Sequence, residues 1–239
     1  MAALTFLLAH LLFLHLLAGE PWLGVVFYRR LRAKLQVDPR ARASYYRLLL
    51  AWEWAWMAVI AAILLGTNDP LGAIGLRPLD DLGFQLLAGI GAGVALTTAA
   101  MRLVPALRQN VQRQLAGSAA LLPSRPAERW LFAAVATTAG ICEEVLYRGF
   151  VWFYLSTTLP ALPVWAIGAA SALLFAVGHA YQGKAGIVQT GAAGAAFFAL
   201  YALTGSLVPA IVLHALADLR VLALLPSREA APTEAGRRV

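Results

Sequence analysis

Seven stretches of the chain, at about 3–27, 48–66, 83–104, 130–153, 162–180, 186–204 and 207–225, are almost wholly apolar. Each is close to the ~20 residues that an α-helix needs to cross a ~30 Å hydrocarbon core. A backbone in lipid finds no water to bond, so such runs fold as helices that satisfy their own amides. The expectation is an all-α, polytopic transmembrane helical bundle of about seven spans, with about six to eight compatible with the pattern. Composition agrees: 61% of the 239 residues are hydrophobic and 13% charged, against roughly 45–50% and 25% in a soluble domain. That excludes a soluble globule and a disordered chain. The single cysteine, Cys142, cannot form an intrachain disulfide, which excludes a small stapled domain as well.

A net charge of +7 would suggest nucleic acid in a soluble protein, but the basic residues are clustered between the apolar stretches. Seven lie from Arg29 to Arg47, five from Arg102 to Arg129 and four from Arg220 onward. With those loops, Lys184 and the tail all placed inside, seven spans put the N-terminus outside and the C-terminus in the cytoplasm. A nucleic-acid surface with interleaved aromatic residues is not evident, so membrane lipids are the expected surroundings and nucleic acid is not an expected partner.

The first stretch contains His10, His15, Glu20 and Pro21 and reads as one long bent helix. It lacks the basic start and small-residue cleavage site of a signal peptide. Residues 105–128, with arginines among Leu, Val and Ala, read as an interfacial segment that does not cross. Trp52, Trp54, Trp56, Trp130 and Trp152 suit interfacial anchors. The glycine runs at 89–93 and 191–196 suit close helix packing. The chain divides most simply into one integral membrane domain, 1–225, with N-terminal helices and the interfacial segment at 1–126 and a core at 127–225. Residues 226–239 read as a cytoplasmic tail.

An unpaired charge in a bilayer costs at least ~2.5–3.5 kcal/mol on insertion scales, so ionisable residues inside the apolar runs are functional candidates. Glu143, Glu144 and Arg148 share one run, His179 ends another, and His214 and Asp218 occupy the last. Adjacent glutamates point about 100° apart on a helix, and Glu144 is four residues before Arg148, so an ion pair neutralises one carboxylate. Glu144 then reads as the structural or orienting member and Glu143 as the one free to meet water. Asp218, one turn after His214, is placed to accept from a ring nitrogen and fix its tautomer. Glu53, near the basic loop and among tryptophans, reads as an interfacial or structural carboxylate, and His10 and His15 as structural or lipid-facing residues. Glu143, His179 and His214 would converge on a cavity open to the cytoplasmic side. Cys142, beside two carboxylates, is poorly placed as a thiolate nucleophile. Ser171 and Ser206 have no histidine near them in sequence.

The pattern Glu143-Glu144-x-x-x-Arg148, Phe175-x-x-x-His179 and His214-x-x-x-Asp218 resembles the three motifs of the CPBP family, the CAAX prenyl protease 2 and bacteriocin-processing membrane proteases also called Abi proteins. The likeness covers roughly 127–225. It implies a membrane-embedded endopeptidase in which Glu143 activates water, Glu144 and Arg148 support it, and His179 and His214 bind water or stabilise the oxyanion. Asp218 stands where many members carry Asn. A divalent metal such as zinc, held by Glu143, His179 and His214, is one form of this chemistry; the sequence has no compact ligand motif that demands it. The resemblance further implies a peptide or lipidated protein as substrate. The Ala, Arg and Leu bias suggests a bacterial cell membrane. The competing expectation is a noncatalytic scaffold or bacteriocin-immunity-type protein whose polar cluster holds helices or a partner.

Overall fold

The computed structural model describes residues 3–225, and all regular structure among them is helical. The tail expected at 226–239 lies outside the described residues. All seven apolar stretches lie within or largely on helices. Helix α1 runs over Ala3–Leu35, α2 over Ala41–Leu64, α3 over Asp81–Leu103, α4 over Pro105–Gln114, α5 over Pro126–Thr158, α6 over Val164–Gly178, α7 over Gly183–Thr204 and α8 over Val208–Leu224.

Five helices are long and apolar enough to cross a membrane: α1, α2, α3, α5 and α7, the last extended to Ala180 by a 3₁₀ turn. The other two predicted spans are short. Helix α6 has 15 residues and α8 has 17, about 22 and 26 Å at 1.5 Å per residue. Helix α6 stops at Gly178 because His179 leaves helical geometry (φ −94°, ψ 18°) and Gly183 then turns the chain at φ 80°. These two short helices place His179 and His214: α6 ends immediately before His179, and α8 carries His214.

Local chemistry explains the breaks. Pro21 has no N–H to offer the preceding turn, and α1 absorbs this with a π-helical segment at His15–Gly19 rather than by ending. The acidic residues of the 65–80 loop are caps: Asp69 accepts from the Gly72 amide at 2.9 Å and Asp80 from the Gly83 amide at 2.8 Å, the latter starting α3. Glu128 accepts from the Ser124 and Arg125 amides at 2.8 and 3.1 Å and so holds the start of α5. Gly205, at φ 65°, ends α7 in the left-handed geometry.

The core lies where α1, α2, α5, α6, α7 and the start of α8 meet, and includes Leu12, Leu16, Ile63, Phe150, Phe175 and Leu207. Helix α3 stands aside, packed on α8. Its glycine run does not serve the packing expected of it: a Cβ added at Gly89, Gly91 or Gly93 would meet nothing. The second run does, since Gly191 faces Ala176 and Gly194 faces Ala172 and Phe175, drawing α7 against α6. Trp54 and Trp130 point outward, whereas Trp52 and Trp56 turn into the bundle. Helix α4 exposes Leu107 and most of its polar residues, and a 3₁₀ segment, Leu115–Leu121, follows it.

Candidate active site

A cavity of about 490 Å³ opens inside the bundle, and residues of α1, α2, α5, α6, α7 and α8 line it. Glu143, His179, His214 and Asp218 all reach it; Glu144 and Arg148 stand behind the wall, both fully buried. The adjacent glutamates are thus divided as the 100° offset requires.

Arg148 Nη1 donates to Glu144 Oε1 at 2.9 Å, and the same oxygen bonds His214 Nδ1 at 2.8 Å. One buried carboxylate therefore holds both a guanidinium and an imidazole. Arg148 sits on a π-helical segment, Val145–Phe150, a local widening of the helix often found at functional sites. Its Cζ lies 4.2 Å from the Phe175 ring centroid and 5.1 Å from that of Phe197, so aromatic faces take the cation where carboxylate does not. Gly194 makes room for it: a Cβ there would stand 3.1 Å from Arg148 Nη2. Phe197 also stacks on the His214 ring, with centroids 5.0 Å apart.

His179 Nδ1 bonds the Phe175 carbonyl at 2.8 Å. A carbonyl oxygen only accepts, so Nδ1 carries the proton and a neutral ring offers Nε2 as a lone pair. Glu144, paired with Arg148, likewise receives the Nδ1 proton of His214, which leaves the second Nε2 free. Both Nε2 atoms face one oxygen, Glu143 Oε2, at 3.9 Å from His179 and 3.7 Å from His214. These separations exceed a hydrogen bond and fit one bridged by a small donor.

The tautomer assignment made for Asp218 is corrected. Asp218 Oδ2 is 3.7 Å from His214 Nε2, beyond hydrogen-bond range, and its side chain is 46% exposed; Glu144 is the carboxylate bonded to the ring. Glu53, read in sequence as an interfacial or structural carboxylate, belongs to the cavity wall, as does Glu20, which bonds His15 Nε2 at 2.8 Å and accepts from Trp52 Nε1 at 3.3 Å. Glu20 was not among the candidates legible from spacing or motif; its position in an apolar run was the available signal. His10, bonded to the Phe6 carbonyl, is structural. Ser171 Oγ donates to the Tyr147 carbonyl and Ser206 Oγ to that of Arg77, so neither hydroxyl is directed at an imidazole.

Among the described residues no group of three His, Cys, Asp or Glu side chains is arranged to hold a metal ion. The 3.7 and 3.9 Å separations around Glu143 exceed the ~3.3–3.4 Å between ligand atoms of a tetrahedral zinc site with bonds of ~2.0–2.1 Å. As placed, the donors do not form that cage.

Residues 125–220 match the family model of Type II CAAX prenyl endopeptidase Rce1-like proteins. The matched segment carries every residue of the Glu143–His179–His214 cluster and its support. The cavity wall from α1 and α2, with Glu20, Trp52, Glu53 and Trp56, lies outside it. No curated protein matches the chain, and no solved structure does.

Proposed function

We propose that the protein is a membrane-embedded endopeptidase of the CAAX type that hydrolyses a peptide bond with a water activated by Glu143. One observation carries this reading: a carboxylate oxygen and two imidazole nitrogens, all acceptors when the rings are neutral, converge within 4 Å on the wall of a cavity. Acceptors so placed need a proton donor between them, and water is the smallest that bonds two at once.

In the proposed reaction, the water oxygen attacks the carbonyl carbon of the scissile bond as Glu143 takes its proton. The carbonyl π pair moves to oxygen; one of the two rings, neutral, holds the water through its Nε2, while the other enters the cycle already protonated on both nitrogens and bonds the oxyanion through Nε2–H, keeping that proton throughout. Collapse expels the amine, which leaves with the proton held by Glu143. Glu144 orients His214 through Nδ1, and Arg148 holds Glu144. Asp218, at the cavity and not hydrogen-bonded to the ring, shapes the field around Nε2.

The remaining particulars belong to the same proposal: seven spans in one integral domain at 1–225, the 127–225 part catalytic, an outside N-terminus, and a bacterial cell membrane. The substrate is a peptide or lipidated protein whose apolar tail enters between helices, a prenylated C-terminus being the form that the matched family's name indicates. The aromatic lining, with Phe27, Trp52, Trp56 and Phe132, supports an apolar tail.

The test is cleavage of a peptide set, prenylated and unmodified, by the purified full chain in detergent, with and without chelator, beside Glu143→Gln. The expected result is cleavage that survives chelation and falls by ~10²–10⁴-fold in the variant, the range a general base supplies. Cleavage unchanged in Glu143→Gln would remove Glu143 as the base, and none by the parent across the set would shift the reading to a noncatalytic scaffold.

A further inference from the structure

The part of the cavity wall supplied by α2 holds two polar atoms whose partners the fold does not provide. Glu53 Oε2 and Trp56 Nε1 are both shut off from solvent, and neither has a hydrogen bond. Both residues line the cavity. Their surroundings do not compensate them: Glu20 is already engaged by His15 and Trp52, and the charged groups acting on Glu53 are Glu143 of α5, Glu20 of α1 and Asp218 of α8, all acids. A buried polar atom without a partner costs ~1–3 kcal/mol and is rare in a folded protein unless an ordered water or a ligand completes it.

Residues three apart on a helix are neighbours, about 5–6 Å between Cβ atoms. Glu53 and Trp56 thus present an acceptor and a donor side by side. A peptide main chain offers the complement, N–H and C=O groups repeating every ~3.3 Å. A carboxyl group keeps an accepting oxygen in either protonation state, whereas an indole N–H only donates. A cation would satisfy Glu53 alone; a peptide backbone satisfies both, displacing any water that serves them in the free protein.

We infer that Glu53 and Trp56 bind the main chain of the substrate, Glu53 Oε2 accepting from a peptide N–H and Trp56 Nε1 donating to a nearby carbonyl, an inference that rests on the peptidase reading. The substrate is then held between a wall from α2, outside the family-matched segment, and the Glu143 side from α5, α6 and α8.

The test compares Glu53→Leu, Glu53→Gln and Trp56→Phe on a cleaved peptide and on ester analogues in which each N–H is replaced by O in turn. Glu53→Leu is expected to raise KM on the order of tenfold, equivalent to ~1.4 kcal/mol, with kcat little changed. Glu53→Gln, which keeps an accepting oxygen, restores most of the loss. One ester analogue loses the same factor with the parent enzyme and nothing further with Glu53→Leu, as coupled partners must. Trp56→Phe, which keeps the apolar ring, raises KM several-fold, on the scale of one neutral hydrogen bond. KM unmoved by Glu53→Leu while cleavage persists would overturn the inference and leave the peptidase intact. Glu53→Gln as poor as Glu53→Leu, with lysine-bearing peptides preferred by the parent, would also overturn it, in favour of a cation site. Binding of a fluorescent peptide to the Glu143→Gln background separates the two proposals. Binding weakened by Glu53→Leu supports the contact whether or not cleavage occurs, and binding unaffected by it counts against the contact.

Discussion

Glu144 Oε1 is bonded to His214 Nδ1 at 2.8 Å across 70 residues of sequence, and the same oxygen accepts from Arg148 at 2.9 Å. A single atom thus links the ion pair of α5 to the ring of α8. It sets which nitrogen of His214 faces Glu143, so the buried pair and the cavity chemistry are one unit.

Glu144→Gln is therefore expected to lower kcat by roughly 10- to 100-fold, the scale on which a carboxylate orients a working imidazole, with KM little changed. It also strands Arg148, whose side chain has no exposure. Removing one partner of a buried pair is far more damaging than replacing both. The thermal midpoint in detergent should fall steeply for Glu144→Gln and for Arg148→Met alone, and less for the double variant than for the two losses added. Additive losses would mean that the two side chains act separately.

Asp218→Asn tests the opposite case. With Oδ2 at 3.7 Å from His214 Nε2 and nearly half its side chain exposed, Asp218 makes no bond that an amide would forfeit. Activity within about threefold of the parent is expected, since a surface-type charge interaction carries ~0–1 kcal/mol. A hundredfold loss in a steady-state assay would return the tautomer role to Asp218.

How much of this was legible in sequence depended on contrast. Glu143, Glu144, Arg148, His179, His214 and Asp218 could be picked out because each is a charge or imidazole in an apolar run, where an unpaired charge is expensive. The convergence of Glu143, His179 and His214 on one cavity was also expected. Glu53 was visible for the same reason but read as an interfacial or structural carboxylate, because the rotation of α2 that turns it beside Trp52 and Trp56 into the cavity depends on packing against α1 and α5. The Glu144–His214 bond was invisible, since sequence spacing relates His214 to Asp218 one turn away and says nothing of a helix 70 residues distant. The glycine runs carry the same lesson: Gly194 faces Arg148, while Gly89, Gly91 and Gly93 face nothing in the bundle. The shortness of α6 was not legible because apolar length alone does not show that His179 leaves helical geometry and ends the helix.

Gly140 fixes the distance on which that bond depends. It lies one turn before Glu144, and a Cβ there would stand 2.8 Å from the Ala215 backbone nitrogen, next to His214. Backbone cannot swing away as a side chain can. Gly140→Ala is expected to push α8 from α5, at ~1–3 kcal/mol for overpacking, and to separate His214 from Glu144. The check is a lowered thermal midpoint together with a fall in kcat. Loss of stability with kcat intact would show that the site tolerates the shift.

The 3₁₀ segment Leu115–Leu121 offers a last prediction. Leu115, Ser118 and Leu121 line the cavity, and three side chains hold the segment by its carbonyls: Tyr28 donates to Gly117 O at 2.7 Å, Arg42 Nε to Ala120 O at 2.8 Å, and Tyr46 to Leu121 O. Arg42 also donates to Ser124 Oγ at 2.7 Å and to Glu128 Oε2 at 3.1 Å. One guanidinium thereby ties α2 to both the segment and the start of α5. Lysine is a point charge and cannot reproduce that fork. Arg42→Lys is therefore expected to speed amide exchange at 115–121, and Arg42→Met to speed it further while leaving Glu128 without its cation. Exchange in the α6 and α8 helices around His179 and His214 should stay as in the parent, because neither helix bonds to Arg42. Hydrogen exchange read by mass spectrometry on the purified chain distinguishes the outcomes. Faster exchange confined to the segment shows a locally anchored wall, faster exchange everywhere shows that Arg42 supports the whole bundle, and unchanged exchange at 115–121 would mean that the tyrosines alone hold it.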